Sequence, residues 1–347
     1  MNRYVRQIAV SEFGPEGQAR LRAGRVLVVG AGALAAPVLQ YLVGAGVGRI
    51  VLVDPDRVAL SNLHRQTLFR EGDVGASKAL VAARHLAALN SECEIEPVIG
   101  TLAPDTVAAL CSGIDLVLDC ADAFAVSYVL SDHCHAVDLP LISASVLGIS
   151  GYCGGFCGGA PSLRAVFPDL PERAGSCSTD GVLGPVVGVV GAIQAQMALA
   201  VLSGMKSSPL GRLVSFDANS WRFGGFSFVG AQEPQYAPRF VAPSEIRAND
   251  FVVDLRAEDE AALATPAARR LPVAAFGEGG PTPALGQRAV LCCRSGLRSW
   301  QAAERLGRVW RGEIVLVAFG APETDSNSDT NTDTDTNSSS DTEERTT

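Results

Sequence analysis

Residues 26–56 read VLVVGAGALAAPVLQYLVGAGVGRIVLVDPD. An apolar run leads into Gly30 and Gly32, a helix-length apolar stretch follows, and a second apolar run ends at Asp54. This pattern predicts a strand, a tight turn, a helix and a second strand, the unit that places phosphate groups at a helix N-terminus. Gly30 allows the turn, Gly32 lets a phosphate approach the backbone, and Asp54, about twenty residues on, can hold a ribose hydroxyl. The unit alone does not separate NAD, FAD and ATP, and it also occurs without a nucleotide.

The negative charge of the chain is concentrated at its C-terminal end. The chain has 347 residues and a net charge of −9, and residues 321–347 hold eight acidic residues and one arginine, which account for −7. This segment repeats Asp, Ser, Thr and Asn, so we expect a disordered tail. The remainder is nearly neutral and has no basic stripe, which argues against a nucleic-acid partner. The length suggests two domains before the tail.

The cysteines and the apolar segments indicate the cellular compartment of the chain. The nine cysteines are an odd number and no signal peptide is evident, so we expect reduced thiols in a cytoplasm. Residues 181–204 carry no charge and could be taken for a membrane span. Pro185, Gln194 and Gln196 favour a buried helix or a subunit interface instead, so we expect no membrane.

The residues that follow the second strand favour ATP among the nucleotides. The run SNLHRQ at 61–66 and the GASKA run at 75–79 bring together two cations and two amides, Asn62, Arg65, Gln66 and Lys78. These groups can hold phosphate oxygens and stabilise the charge that develops when a phosphorus is attacked. An NAD-linked oxidoreductase has no evident need for them, although it stays open as an alternative.

A further apolar strand ends in carboxylates. Residues 114–123, IDLVLDCADA, place Asp119 and Asp122 at the end of a predicted strand. The carboxyl ends of parallel strands face the ligand crevice, so Asp122 is well placed to bind Mg²⁺ against phosphates. Other apolar patterns predict helices over 78–90, 103–112 and 124–136 and strands over 93–99, 139–146 and 212–217. The alternation predicts an α/β fold with a Rossmann-like doubly wound sheet.

The combined motifs resemble the ThiF/MoeB family, the bacterial relatives of ubiquitin-activating enzymes. The motifs RYxRQ at 3–7, GxGxL at 30–34, LVDPD at 52–56, SNLHRQ, the GxxK lysine and DCAD at 119–122 occur in the family's order. The resemblance covers residues 3–230, within a predicted domain over 1–230. It implies a homodimer that uses ATP and Mg²⁺ to adenylate the C-terminal glycine of a ubiquitin-like sulfur-carrier protein ending in Gly-Gly.

The resemblance also implies roles for individual residues. It puts Gly32 at the nucleotide and Asp54 at its ribose, and Arg6 becomes an arginine lent across the dimer. Cys177 stands where many members have a cysteine that takes up sulfur or the carrier. The remaining implied contacts are with phosphates and Mg²⁺, and they fall on Asn62, Arg65, Gln66, Lys78 and, for the metal, Asp122.

Two departures from the family pattern matter. Ala123 stands where an asparagine is usual. Many members hold a structural zinc on two CxxC pairs, but Ser162 and Ala165 stand where the first pair should fall, and no CxxC pair follows residue 200. We therefore expect no structural zinc. Cys153 and Cys157 form a CxxxC that fits small buried thiols better than a metal site.

A second pattern begins after a predicted linker over 231–242. Within 243–320, a strand ends in the DLR motif at 254–256, and a later strand leads into CRSGLR at 293–298. This resembles the rhodanese sulfurtransferase active loop, with Cys293 as the sulfur-carrying cysteine and Cys292 buried in the preceding strand. Backbone N–H groups, a helix N-terminus and two arginines would lower the thiol pKa and hold a persulfide. The loop comprises Cys293, Arg294, Ser295, Gly296, Leu297 and Arg298. The segment 257–287 is compressed, and we expect it to lack an element of the rhodanese fold.

Together the two resemblances predict one chain with two coupled activities. The first domain would adenylate a carrier, and Cys293, loaded by a sulfur donor such as a cysteine desulfurase, would turn the adenylate into a thiocarboxylate. The receiving pathway, such as molybdopterin or thiamine biosynthesis, stays open. The alternatives are a catalytically degenerate module that binds a ubiquitin-like partner, and an enzyme that adenylates another carboxylate, such as one on tRNA.

Overall fold

Two β-sheets organise the chain in the computed structural model, which describes residues 3–169 and 181–320. The first sheet has the order β3-β2-β1-β4-β5-β6-β7-β8. Pairing is parallel from β3 through β5 and antiparallel from β5 through β8. Its strands are β1 (Arg25–Val29), β2 (Arg49–Val53), β3 (Glu94–Val98), β4 (Leu116–Asp119), β5 (Leu141–Leu147), β6 (Ser150–Phe156), β7 (Arg212–Asp217) and β8 (Arg222–Ser227).

Helices cover both faces of the parallel half. Successive residues of β1 face opposite sides: Val26 and Val28 join the core beneath one layer, and Leu27 and Val29 join the core beneath the other. The first layer contains α2, α3, α4 and α8, and the second contains α5 and α6. The first-sheet helices are α1 (Val5–Ile8), α2 (Gly14–Ala23), α3 (Ala35–Ala45), α4 (Lys78–Leu89), α5 (Val107–Leu110), α6 (Phe124–Ala136), α7 (Leu163–Val166) and α8 (Gly184–Ser203).

The sequence placed a longer helix over 103–112, but α5 is one turn, Val107–Leu110. The Thr106 hydroxyl accepts the Ala103 N–H at 2.9 Å and lies 3.2 Å from the Ala103 carbonyl oxygen. Such local bonds compete with the helical hydrogen-bond ladder, so the helix begins only after them.

The uncharged segment at 181–204 forms α8, which packs on α2, α3 and the first sheet. Among the described residues it is the one helix whose length and apolarity would suit a membrane span. Its Gln194 side chain is fully buried and donates hydrogen bonds to the carbonyls of Asp119 (2.8 Å) and Ile142 (3.1 Å). A buried polar side chain whose hydrogen bonds are made to the neighbouring sheet is typical of a core helix.

The second sheet is parallel throughout, in the order β11-β10-β12-β13-β9. Its edge strand β9 lies inside the segment 231–242 that the sequence suggested as a linker, so the second unit starts before residue 243. The segment 257–287 contributes only β11 and a 3₁₀ turn. The elements are β9 (Arg239–Phe240), β10 (Phe251–Asp254), β11 (Arg269–Arg270), β12 (Ala289–Cys293), α9 (Leu297–Val309) and β13 (Ile314–Ala318). The predicted disordered tail, 321–347, lies outside the described residues.

Candidate active site

The first glycine of the turn after β1 occupies a position that only glycine fits. Gly30 has a φ of +93°, and its N–H donates to the Val53 carbonyl at 2.8 Å. A Cβ at this position would lie 2.6 Å from the Cys120 carbonyl oxygen at the end of β4. The turn is therefore fixed by both its backbone conformation and its close approach to the neighbouring strand.

The second glycine borders open space. A Cβ on Gly32 would meet only the Gln66 Nε2 atom, at 3.8 Å. Gln66 is buried, and its Oε1 atom has no hydrogen-bond partner among the described residues. The open glycine backbone before α3, with the Gln66 amide nitrogen beside it, suits a polar ligand that contacts both.

Asp54 supports the glycine turn. One carboxylate oxygen accepts the Ala31 N–H at 2.6 Å, and the other accepts the Asp56 N–H at 2.8 Å. Burial raises the pKa of Asp54, and the two backbone hydrogen bonds and the charge of Lys78 partly oppose that shift. These bonds show a structural role that the sequence did not predict; the ribose contact stays a prediction.

Lys78 is the first residue of α4 and is almost completely buried. Its Nζ atom lies 2.8 Å from Asp56 Oδ2, and its backbone N–H donates to the Asp56 carbonyl at 2.9 Å. The Asp56 side chain is 62% exposed, so the lysine charge is directed to the open edge of the sheet. Sequence reasoning missed Asp56 as a partner, although the second acid of the LVDPD motif could have suggested it.

Asn62 is the last residue of a 3₁₀ turn over Leu60–Asn62, and Arg65 follows that turn. The Arg65 guanidinium donates to the Ser61 carbonyl at 3.1 Å and lies 2.8 Å from the His64 ring. The start of α8 packs against this segment, since a Cβ on Gly184 would lie 2.8 Å from the His64 carbonyl oxygen. The described arrangement thus directs the Arg65 guanidinium toward its own turn.

The two carboxylates after β4 have different surroundings. Asp119 is fully buried and accepts hydrogen bonds from the Ser143 hydroxyl (2.8 Å) and the Ala121 N–H (3.2 Å). Burial raises its pKa, and these partners oppose the shift. Asp122 is exposed in the loop before α6, next to exposed Ala123. Of the two, Asp122 is therefore free to meet a metal ion from solvent.

Arg6 is remote from this edge within one chain. It lies on α1, whose Gln7 side chain donates to the Ala45 carbonyl at the C-terminal end of α3. The glycine turn lies at the other end of this 11-residue helix, about 16 Å away. The described chain therefore does not bring Arg6 to its own glycine turn, whereas Gly30, Gly32, Asp54, Gln66 and Lys78 share one edge.

The residues at the expected zinc position do not fit zinc. The Ser162 hydroxyl and backbone N–H both donate to the Glu233 carboxylate, at 2.6 and 2.7 Å. The described residues 3–169 and 181–320 contain no group of three or more His, Cys, Asp or Glu side chains able to hold a metal. Cys153 and Cys157 are buried, and burial raises the pKa of both thiols, that of Cys157 to about 12.

The CRSGLR segment, which we name the sulfur loop (293–298), connects β12 to α9. The Cys293 sulfur accepts N–H groups from Gly296 at 3.1 Å and from Ser299 at 3.4 Å. Arg298 is held by Glu260 at 2.6 and 2.7 Å, a partner that the sequence did not suggest. Arg298 is also the main cause that lowers the pKa of Glu260 to about 2. The N–H groups predicted around the sulfur are present, but one of the two arginines is already paired.

Both cysteines of the strand end are buried, Cys293 as completely as Cys292. The burial of Cys292 was predicted and the complete burial of Cys293 was not.

The DLR motif forms an ion pair inside the same unit: Asp254 accepts from Arg256 at 3.0 and 2.7 Å. Cys177 lies outside the described residues.

Comparison with known families decides the relationship of the first unit. The profile described as "ThiF family" matches residues 4–236. The chain belongs to the ThiF family. The match contains every strand and helix of the first sheet and ends before β9, so the second sheet lies outside it.

Curated relatives are similar over the same ThiF region. The "SAMP-activating enzyme E1" of Haloferax volcanii is 40% identical over 225 residues, which are 64% of this chain and 83% of that protein. The "Adenylyltransferase and sulfurtransferase MOCS3" of Bos taurus is 45% identical over 221 residues, 63% of this chain and 49% of that protein. UBA4 of Yarrowia lipolytica, with the same description, is 42% identical over 208 residues, 59% and 52% of the two chains. This chain thus matches about half the length of these MOCS3 and UBA4 relatives.

Solved structures agree with the ThiF fold. Escherichia coli MccB with ATP has a TM-score of 0.59 and 22% identity, and the match covers 66% of this chain and 71% of that chain. MccB with its MccA variant gives 0.60 and 22%, covering 68% and 74%. At this identity the similarity establishes the fold alone.

Proposed function

We propose that this ThiF-family chain is an adenylyltransferase that activates the C-terminal glycine of a ubiquitin-like sulfur carrier with ATP. We further propose that it transfers sulfur to the activated carrier from a persulfide on Cys293. The observation that carries the first step is the shared edge formed by the glycine turn, Gln66 and Lys78. The names of the relatives, an E1 enzyme and adenylyltransferases with sulfurtransferase activity, support the same chemistry.

The site fits a nucleotide triphosphate. The open backbone at Gly32 and the adjacent Gln66 amide nitrogen, which can donate to phosphate oxygens, offer polar contacts, and the Lys78 ammonium faces the same edge beside the exposed Asp56 carboxylate. Asp54 fixes the turn and is the proposed ribose ligand, and Asn62 and Arg65 are proposed phosphate ligands after reorientation of the Arg65 guanidinium. Asp122 would hold Mg²⁺, which neutralises phosphate charge when it is bound.

Adenylation converts a poor electrophile into a reactive one. The carrier carboxylate attacks the α-phosphorus of ATP, a new O–P bond forms, and the bond to pyrophosphate breaks. The two reactants are both anions, so the chain's main task is to position them and offset their repulsion. Lys78 is the residue best placed for this role, because its aliphatic stem is buried and its ammonium group faces the open edge of the sheet.

The antiparallel half of the first sheet offers a surface for the carrier. Phe223 and Phe226 on β8 are 62% and 53% exposed, and they line an open groove with Leu147, Tyr152 and Phe216. Exposed aromatic side chains in one groove are typical of a protein-binding surface. We propose that the carrier docks here, with its Gly-Gly terminus extending toward the glycine turn.

The sulfur step is proposed for Cys293. The terminal sulfur of its persulfide attacks the acyl carbon of the adenylate, the C–S bond forms, and the C–O bond to AMP breaks. A second thiol, for which Cys177 is the candidate, then attacks the Cys293 sulfur, breaks the S–S bond and releases the carrier thiocarboxylate. The resulting protein disulfide is reduced by a cellular dithiol. A sulfur donor such as a cysteine desulfurase supplies the persulfide.

The position of Arg6 supports a homodimer. Since α1 lies about 16 Å along α3 from its own glycine turn, Arg6 would act in the site of a second copy. Such an arginine would add positive charge beside the phosphates during attack.

The adenylation proposal is tested by ATP–pyrophosphate exchange with the full chain. The carrier would be the organism's own ubiquitin-like proteins that end in Gly-Gly, and each would be compared with a copy that lacks the terminal glycine. We expect exchange that needs the intact carrier and is lost in Lys78→Ala. A chain that binds a carrier but catalyses no exchange would instead be the degenerate binding module.

A further inference from the structure

The sulfur loop lies against the first unit of the chain. Gly296, with a φ of +92°, is buried, and a Cβ at this position would lie 3.1 Å from the Ala125 Cβ and 2.8 Å from the Phe240 ring. Ala125 is the second residue of α6, and α6 directly follows the loop that carries Asp122. The loop that would carry sulfur and the edge that would bind ATP therefore meet at the start of α6.

An aromatic contact holds the two units together. Trp300 of α9 is 2% exposed, and its ring centroid lies 5.0 Å from that of Tyr128 and 5.9 Å from that of Phe124, both on α6. The Phe124 ring also lies 6.4 Å from Phe240. Rings at these distances interact favourably beyond the area that they bury.

Arg164 of α7 reinforces this contact. Its guanidinium carbon lies 5.0 Å from the centre of the Tyr128 ring and 4.9 Å from that of Trp300. Asp132 binds the guanidinium, at 2.5 and 2.8 Å, and one of its nitrogens donates to the Pro238 carbonyl at 3.2 Å. A buried cation over two rings joins the units more strongly than it would in water.

The chain between the units can act as a hinge. Glu233 is bound to the first unit through Ser162, whereas β9, starting at Arg239, belongs to the second sheet. Only residues 234–238 connect these anchors, and a few connecting residues suffice for a hinge.

In this arrangement Cys293 is closed to any donor. The residue has no exposed surface: the N–H groups of Gly296 and Ser299 and the Ser299 hydroxyl, all from its own unit, surround the sulfur. The loop that supplies them is covered in turn by Ala125 of α6, which lies against Gly296. We propose that α6 and Arg164 form a docking surface for the rhodanese-like unit, and that Cys293 receives sulfur only when this unit leaves that surface. The sulfur role rests on the proposed function; the docking and the occlusion do not.

The neighbouring thiol supplies an internal control. Cys292 lies on the other face of β12, in the cluster that contains Val252, Val290 and Val317 of the same sheet. Cys293 faces the cluster that contains Trp300 and the residues of α6. Undocking should expose Cys293 alone, whereas unfolding of the second sheet should expose both thiols.

The test is a time course of alkylation by N-ethylmaleimide on the full chain, with no ATP, carrier or donor present. Fragment-ion mass spectrometry assigns the label to position 292 or 293. When opening is faster than labelling, the labelling rate follows the open population. We expect slow labelling of Cys293 in the wild type and a rate about tenfold higher in Arg164→Ala, which loses a buried cation–π contact.

Phe124→Ala should raise the Cys293 rate in the same way without altering Arg164. The matched control is Arg84→Ala, which removes an arginine paired with Asp73 elsewhere in the first unit and should leave the rate unchanged. Fast labelling of Cys293 in the wild type, no effect of either interface variant, or equal increases at Cys292 and Cys293 would each overturn the proposal. Because the assay needs no adenylation, its failure is distinct from a failure of ATP–pyrophosphate exchange.

Discussion

Alanine at the two glycines of the first turn should separate folding from nucleotide binding. In Gly30→Ala the new Cβ would lie 2.6 Å from the Cys120 carbonyl oxygen, with a φ of +93°. A left-handed conformation costs a non-glycine residue about 1–2 kcal/mol, and relief of an overpacked contact adds about 1–3 kcal/mol. We therefore expect Gly30→Ala to lower the free energy of unfolding by about 2–5 kcal/mol.

Gly32→Ala is the matched variant. Its Cβ would meet nothing closer than Gln66 Nε2 at 3.8 Å, and its φ is not in the positive region, so the free energy of unfolding should stay within about 0.5 kcal/mol of the wild type. The same Cβ occupies the space through which a phosphate would approach. We expect the Kd for ATP to rise at least about tenfold, equivalent to about 1.4 kcal/mol.

Urea denaturation gives the free energies of unfolding, and isothermal titration calorimetry with ATP–Mg²⁺ gives the Kd values. Gly30→Ala as stable as the wild type would refute the steric argument for the turn. Gly32→Ala that binds ATP as tightly as the wild type would refute the placement of the phosphates against this backbone.

Three further substitutions test the charged groups. Lys78→Met keeps the aliphatic stem of the lysine and leaves a solvated Asp56. ATP–pyrophosphate exchange should therefore fall about 10²–10³-fold, while the free energy of unfolding from urea denaturation changes by less than about 1 kcal/mol. A loss of stability large enough to explain the loss of exchange would contradict this. Asp254→Asn leaves the buried Arg256 without its charged partner and should cost about 3–5 kcal/mol of stability by the same method; a neutral effect would count against the pair. Because the pKa of Glu260 falls from 4.5 to about 2, mainly through Arg298, its stabilising effect is full above the ordinary pKa and is lost as the pH falls toward 2. Urea titrations from neutral pH to about pH 2 give the difference in unfolding free energy between wild type and Glu260→Gln. This difference should be below about 1 kcal/mol at neutral pH and should vanish near pH 2. A difference that grows as the pH falls would contradict the lowered pKa of Glu260.

The strands and helices around the glycine turn could be predicted because their signals are local. The apolar runs before Gly30 and Asp54 became β1 and β2, and the predicted strand over 212–217 is β7. The predicted helix over 103–112 begins later in the structure because the Thr106 hydroxyl competes for backbone hydrogen bonds. This is an effect of a single side chain, and the spacing of apolar residues does not reveal it.

The site was less predictable where it depends on contacts between distant residues. Lys78 could be singled out by its spacing, but its Asp56 partner lies 22 residues away, and Glu260 lies 38 residues before the Arg298 that it binds. The sulfur loop that holds Cys293 packs against Ala125 of α6, which comes from the other unit of the chain. No local pattern encodes how two units pack, so the motif predicted the loop but not the access to its sulfur.

The most direct test of the two-step account is the mass of the carrier after the full reaction. A ubiquitin-like protein of the organism that ends in Gly-Gly would be incubated with the chain, ATP, Mg²⁺, thiosulfate and a dithiol reductant. The account predicts replacement of one terminal carboxylate oxygen by sulfur in the wild type, and no replacement in Lys78→Met or Cys293→Ser. A thiocarboxylate formed equally well by Cys293→Ser, or carriers that are adenylated by the wild type but never acquire sulfur, would contradict it.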